Sequence, residues 1–409
     1  MFLVNIALAR TRQKEEYGVF ALTYSMYTFL AGLHNAVILE AYTIHGSGRY
    51  SAHFNEYARL FWRKNAQFAL LLTGALILVF PLVIWSSPVF KSYTTLGMAL
   101  SCGVLLTASF LRRTFYIRRR PDLAAKFSAA FFSICAILLI ASMWAKILTG
   151  FFAFLVVGVS WICAALAVRR DLEMARANQD FVGIDPEYWA EHWKYSRWVL
   201  MTALVFQLTT QGYYWLSAAF LTVKEVADIR AMYNLITPVE QLFIAMVLLI
   251  LPAMSSRYSI EGKTGLLRVW RRYCIACLLV TCVFAGFLKV FAARLMHVLY
   301  AGKFDDVVPL VGILALLPIV MGVGNTMNAA LKAMERPKAV FYGYLASGAS
   351  TVLIGLPLIV RLGLRGAVYG MLISAGTYTV ALGTAFLYFS GTKLPVAAVA
   401  GVADHDVSL

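Results

Sequence analysis

The sequence predicts an all-α polytopic membrane protein: two pseudo-symmetric six-helix lobes, arranged as parallel repeats around a central cavity, with the first helix incomplete. Three observations carry that prediction. The 409-residue chain is 61% hydrophobic and only 14% charged, with a mean hydropathy of +0.74, whereas a soluble domain carries roughly 45–50% apolar and about 25% charged residues. So few charges cannot cover a water-facing surface, and the solvent is therefore lipid. Apolar runs of crossing length recur along the chain, and the loops between them alternate between rich and poor in Lys and Arg. A basic, aromatic cassette is also written twice, as RYSAHFNEYARLFWRKN from Arg49 and RYSIEGKTGLLRVWRRY from Arg257.

Taking about 20 apolar residues as one helical crossing, the first spans fall near Gly18–Ile44, Ala66–Ser86, Ser92–Leu111, Leu123–Ala145 and Ile147–Val168. A second group follows near Arg197–Phe220, Ala231–Ser255, Tyr273–Met296, Val307–Ala330, Val340–Val360 and Gly366–Phe389. Ahead of them MFLVNIALAR (Met1–Arg10) is apolar but too short to cross. It has no basic leader or small-residue cleavage site, so it does not read as a signal peptide. It reads as the end of a first helix, which makes eleven complete spans and one fragment.

Charge placement tests that count. The loops at His45–Asn65, Arg112–Asp122, Arg169–Tyr195, Ser256–Arg272 and Leu331–Ala339 are basic, and RRTFYIRRRPD alone holds Arg112, Arg113, Arg118, Arg119 and Arg120. The intervening turns are poor, with Lys91, Lys146, Lys224 and Arg230, Lys303, then Arg361 and Arg365. Only the first turn, ARTRQKEEYG, blurs the alternation with Arg10, Arg12 and Lys14. By the positive-inside rule the rich loops are cytoplasmic, which also puts the C-terminal tail on that side. The formal charge of +16 and sequence pI near 9.6 are thus a topology signal, and no nucleic-acid partner is expected.

The two cassettes lie 208 residues apart and both just inside the cytoplasmic face, with an even number of crossings between them. Two halves of equal length and equal orientation are parallel repeats about an axis along the membrane normal. Two further echoes keep the same order: EEYGVFALTY (Glu15–Tyr24) with KEVADIRAMY (Lys224–Tyr233), and Arg120-Pro121 with Arg336-Pro337. The expected organisation is an N-terminal lobe at 1–168, an inter-lobe cytoplasmic loop at 169–196, a C-terminal lobe at 197–390 and a tail at 391–409. Within the loop, DPEYWAEHWKYSRW reads as a helix starting at Asp185 with Pro186 at its first position, lying at the interface before the seventh span.

At this point the sequence resembles the multidrug/oligosaccharidyl-lipid/polysaccharide exporter superfamily, and within it the Wzx-type bacterial polysaccharide flippases. ALARTRQKEEYGVFAL (Ala7–Leu22) is similar to that family's opening, and ILEAYTIHGSGRY (Ile38–Tyr50) to the end of its second span. LPAMSSRYSIEGK (Leu251–Lys263), VLYAGKFDDVVPLVGILAL (Val298–Leu316), LKAMERPKAV and LGLRGAVYGMLIS follow in family order. Arg12, Gln13 and Lys14 depart from the apolar-Gly-Pro that is usual in the first turn. The resemblance implies a multi-pass protein of the bacterial inner membrane, moving undecaprenyl-pyrophosphate-linked oligosaccharide repeat units between leaflets by alternating access for O-antigen, lipopolysaccharide or similar surface polysaccharides. Polysaccharide polymerases and glycosyltransferases are its implied partners, alongside the lipid-linked oligosaccharide itself and membrane lipids. A drug or small-molecule exporter of the same fold, and a membrane polysaccharide polymerase or ligase, are the competing readings.

Polar groups inside spans are expensive unless they face a cavity. The candidate lining residues are therefore His34, Asn35 and Glu40 in the second span, Gln207 and Gln211 one turn apart in the seventh, and Glu240 in the eighth. Lys289 and Arg294 toward the outer end of the ninth and Asn325 and Asn328 on one face of the tenth complete the set. The amides equally suit interhelical hydrogen bonds, and Lys289 and Arg294 equally suit snorkelling to the outer interface. Glu40 and Glu240 are the proton-linked or charge-pairing candidates, whereas Asp228 and Arg230 read as an exposed turn pair. His34 has no companion ligands, so no metal is expected. The six cysteines fall in or near spans and no phosphate-binding glycine loop is present, so no catalytic residue and no cofactor is expected.

Overall fold

Within hydrocarbon, every backbone polar group of a spanning helix is satisfied inside its own segment. The computed structural model describes residues 1–47, 50–51, 53–86, 93–169 and 186–391, and it is helical nearly throughout them. Arg49 of the first cassette, the Lys91 turn, Asp185 with most of the inter-lobe loop, and the tail from 392 lie outside the described residues.

The first lobe comprises α1 (Phe2–Thr11), α2 (Lys14–His34), α3 (Glu40–Ser47), α4 (Phe54–Ser86), α5 (Thr94–Ile117), α6 (Pro121–Trp144) and α7 (Gly150–Ala167). The second comprises α8 (Pro186–Phe220), α9 (Val223–Tyr300), α10 (Val308–Leu314), α11 (Leu317–Ala333), α12 (Pro337–Ser350), α13 (Leu356–Leu362) and α14 (Leu364–Gly391). α2 passes into α3, and α12 into α13, through single π turns at Asn35–Leu39 and Thr351–Gly355. α9 breaks at Gly262, where φ is 62° and ψ −146°, a conformation that glycine adopts without steric cost. Counted as crossings, these make twelve segments among the described residues, α1 being a ten-residue one.

Seven of them are apolar and long enough to cross a membrane by composition alone: α5, α6, α7, Ala253–Tyr300, Asp305–Ala333, Pro337–Leu362 and α14. α1, α2, α4, α8 and the first limb of α9 stand outside that set, and of these α2, α8 and the first limb of α9 face one another between the lobes. Their polar side chains serve that seam rather than lipid.

The repeat is visible in the backbone. α5 ends with Arg119 N–H donating to Tyr116 O and Arg120 N–H to Phe115 O; α11 ends with Glu335 N–H donating to Lys332 O and Arg336 N–H to Leu331 O. Both are Schellman caps. Their left-handed residues have φ of 56° at Arg119 and 58° at Glu335. The next residues, Arg120 (φ −111°, ψ 65°) and Arg336 (φ −112°, ψ 55°), are nearly superposable and lead into Pro121 and Pro337. Proline suits that first helical position because its missing N–H would have had no partner there. Likewise α2 and α9 begin 209 residues apart, after extended N-caps at Gln13 and Thr222. Thr222 and Glu225 form a reciprocal capping box, satisfying two otherwise orphaned donors.

The aromatic segment ahead of the seventh span differs from the sequence expectation. It is not a separate interfacial helix but the start of α8, and it docks on the first lobe. His192 stacks on Phe61 at 4.1 Å and donates to or accepts from Tyr57 at 3.2 Å, while its Nε2 reaches the Val37 carbonyl at 2.8 Å. Ser196 donates to the same carbonyl at 3.1 Å. Val37 sits in the π turn, whose i→i+5 geometry loosens the local carbonyl ladder and presents that oxygen to α8.

Candidate functional site

The end of the lobe seam opposite the basic loops is built by charge. Lys14, at the first turn of α2, donates to Asp228 and to Asp306, each at 2.9 Å, and lies 4.9 Å over the Phe304 ring. Lys303 donates to the Arg10 and Arg12 carbonyls at 2.8 and 2.7 Å, and Arg10 to the Val298 carbonyl at 3.1 Å. Arg12 binds the Leu148 carbonyl at 2.6 Å. The three cations that blurred the loop alternation are thus occupied in holding this end together. Glu15 and Lys224, 209 residues apart like the helix starts that carry them, pair at 2.9 Å. Equivalent residues meet only near a pseudo-two-fold axis, so this pair marks it. Hydrogen bonding to Lys224 holds the Glu15 carboxyl below its ordinary range.

Directly beneath this lock lies Arg230. Its guanidinium sits 4.5 Å over the Tyr24 ring and 5.9 Å from that of Tyr214, and its Nε donates to Asn5 Oδ1 at 3.1 Å. Asn234 donates to Tyr17 at 3.0 Å, and Tyr300 donates to the Ala231 carbonyl at 3.0 Å. Tyr233, edge-on to Tyr214, donates to Glu240 two turns deeper. The exposed-turn reading of Asp228 and Arg230 is therefore corrected. Asp228 is only 6% exposed and bonded across the seam, and Arg230 is enclosed by aromatic faces from both lobes. Sequence proximity to Lys224 hid this; the apolar residues on both sides of Arg230, Ile229 and Ala231, were the available signal.

The predicted residues divide into separate groups. His34 is buried inside the first lobe, with Nε2 2.7 Å from Asn65 Oδ1. Asn35 accepts from Arg113 at 3.4 Å, and Glu40 accepts from Tyr195 of α8 at 3.4 Å, so these two lie near the basic end of the seam. Gln207 packs its amide against Gly32 of α2, where a β-carbon would fall 1.8 Å from its nitrogen, and Gln211 follows one turn on, half-buried. Glu240 joins the Arg230 chamber through Tyr233. Lys289 and Arg294 are exposed on the second limb of α9, Lys289 beside and Arg294 opposite the buried stripe Leu288, Ala292 and Met296. Asn325 lines a cavity of ≈ 80 Å³ inside the second lobe with Tyr213, Tyr344 and Ser374, and Asn328 donates to Tyr378 and Tyr344 at 2.8 and 3.2 Å. Among the described residues no cluster of His, Cys, Asp or Glu could hold a metal.

Two helical lobes meeting along a polar, aromatic seam define a two-lobed membrane-protein fold of the transporter type. Solved structures give it a sharper likeness. The chain matches the inward-facing conformation of a multidrug resistance MATE family transporter of the MOP superfamily with a TM-score of 0.80, at 10% identity over 95% of this chain and 92% of that one. An outward-facing conformation of such a transporter gives 0.67, at 11% identity over 95% and 94%. A MOP superfamily transporter from Pyrococcus furiosus, whose reversed binding-pocket polarity is taken to suggest a different function, gives 0.70, at 11% identity over 94% and 89%. At such identities the likeness is one of fold. No protein-family profile and no curated protein matches the sequence.

Proposed function

We propose that this chain is a bacterial inner-membrane flippase that carries an anionic, lipid-linked oligosaccharide from the cytoplasmic to the outer leaflet by alternating access. The observation that carries the reading is Arg230, a guanidinium held by tyrosines and Asn5 between the lobes. A pyrophosphate headgroup cannot cross hydrocarbon alone, since burying an uncompensated charge is prohibitive. Arginine offers a planar fork of donors that matches phosphate oxygens, and the surrounding hydroxyls and amides substitute for water. Arg113 at the basic mouth, beside Asn35 and Glu40, gives the same charge preference at the cytoplasmic end. Glu240, tied to Tyr233 within reach of the Arg230 field, is the group that exchanges a proton or a charge partner as the anion enters. Glycosyltransferases would supply the substrate and a polymerase would consume the product.

The test is a leaflet-resolved accessibility assay of lipid-linked repeat units in a deletion strain complemented with this reading frame. Arg230→Gln should lower flipping by an order of magnitude or more, in line with the loss of a charge-assisted hydrogen bond of about 1.5–3 kcal/mol, with Arg230→Lys intermediate. Normal flipping in the deletion strain removes the assignment. A second reading, multidrug export, is favoured by the fold relatives and by the aromatic walls around Glu240, which suit organic cations. Efflux of cationic dyes that survives Arg230→Gln but is lost in Glu240→Gln would select it instead.

A further inference from the structure

The outer face of the first lobe carries a groove of ≈ 550 Å³. Its walls include Trp62, Leu70 and Thr73 of α4, Gly103 of α5, and Trp161 and Leu166 of α7. Leu70 is 72% exposed and Leu166 60%, so the groove opens sideways to lipid. From Trp62 to Thr73 it runs about 16 Å at 1.5 Å per residue, roughly half of a hydrocarbon core about 30 Å thick. None of its lining residues belongs to α2, α8 or α9, the helices of the lobe seam. It therefore lies off the route between the lobes.

The polar end of the groove is basic. Arg59 continues the α4 stripe one turn before Trp62, and Arg169 lies one turn beyond Ala165 of α7, whereas Arg118, just after α5, turns to Asn55 Oδ1 at 3.0 Å and to the Phe54 ring. Two arginines thus stand at the loop-proximal rim, the side that the positive-inside pattern assigns to the cytoplasm. In the second lobe, the residues 208 positions after Arg59 and Trp62 are Leu267 and Trp270. Trp270 packs on Phe386 at 4.7 Å, in the last turns of an α14 that is 28 residues long against 18 for α7. There an aromatic side chain of the protein fills the face, and no arginine stands at the corresponding α4-type position.

We propose that the groove is a binding site for an anionic glycerophospholipid of the cytoplasmic leaflet, with one acyl chain along α4 and α7 and its phosphate between Arg59 and Arg169. The chemistry is that of a juxtamembrane basic cluster over an apolar slot. The proposal stands apart from what is carried between the lobes.

Native mass spectrometry of the purified full chain, titrated with phosphatidylglycerol or phosphatidylcholine of identical acyl chains, tests it. One phosphatidylglycerol is retained in preference to phosphatidylcholine, and the preference falls about fivefold for Arg59→Ala and again for Arg169→Ala. Ala66→Trp plugs the groove and abolishes retention. Leu70→Trp, at a side chain already open to lipid, gives the same reading without crowding packed neighbours. Equal retention of both lipids, or unchanged retention in Leu70→Trp, overturns the proposal. Stoichiometric displacement of phosphatidylglycerol by undecaprenyl phosphate also overturns it, since the groove would then hold an isoprenoid tail.

Discussion

The two lobes share a frame and divide the chemistry. Their Schellman-capped turns before Pro121 and Pro337 agree to within 2° at the left-handed residue and 1° in φ at the next. Their second helices start at equivalent positions and pair through Glu15 and Lys224. Yet Arg230 and Glu240 of the second lobe correspond, 209 residues earlier, to Ala21 and Ala31 of the first. The first lobe contributes aromatic faces such as Tyr24 to that cation and keeps its own arginines at the basic mouth. A duplicated scaffold holds the geometry in register, while single substitutions place the charge on one side. Symmetry belongs to the caps and asymmetry to the cavity.

That comparison can be broken most forcefully at the outer lock. Lys14→Met leaves Asp228 buried without its cation, and an unsatisfied buried group of this kind costs roughly 1–3 kcal/mol. The closed outer end should lose population accordingly, read as increased reactivity of a cysteine placed in the Arg230 chamber toward an impermeant external reagent. The pseudo-equivalent pair gives a finer test. Glu15→Lys or Lys224→Glu alone should open the same end by a smaller, salt-sensitive margin, because exposed pairs are worth little. The double exchange should restore closure. If it does not, the pair does not lie on the axis.

At the opposite end, burial holds the His192 imidazole down at about 4, with His45 adding to the effect and the Val37 carbonyl opposing it. A free histidine titrates near 6.5. Between about pH 6.5 and 4 the undocked state therefore binds more protons, so docking of α8 on the first lobe is at full strength above that window and weakens as the pH falls through it. Proteolytic sensitivity of the α8 start should rise below about pH 6 and lose this dependence in His192→Gln. The smallest expected effect is at the matched turns. Glu335 adopts a left-handed conformation that costs a non-glycine residue roughly 1–2 kcal/mol, so Glu335→Gly should raise thermal stability slightly. Arg119→Gly should do the same in the other lobe, a direct measure of whether the turns are energetically as well as geometrically equivalent.

Much of the frame could be read beforehand. The Arg-Pro echo reports a cap whose geometry depends on adjacent residues, and the basic loops report which end of each helix meets water. The π turn at Asn35–Leu39 could not be read, because it answers to α8 side chains about 155 residues away at Val37. The site was legible only in part. Glu240 was singled out because a carboxylate in an apolar run is conspicuous on its own, and the fold ties it to Tyr233. Arg230 was misplaced because it follows the charged start of its helix and its aromatic cage comes partly from Tyr24 of the other lobe. His34 was selected by the same rule as Glu240, yet Asn65 satisfies it inside the first lobe.

By itself the sequence determined the solvent, the series of crossings, their alternation and their duplication. Those properties rest on burial of apolar runs in lipid and on caps closed by residues a few positions apart, all of which are local. Only the tertiary structure decided which charges meet. Lys14 and Asp228 are separated by 214 residues of chain, and their pairing depends on how two helices cross, which no local periodicity records.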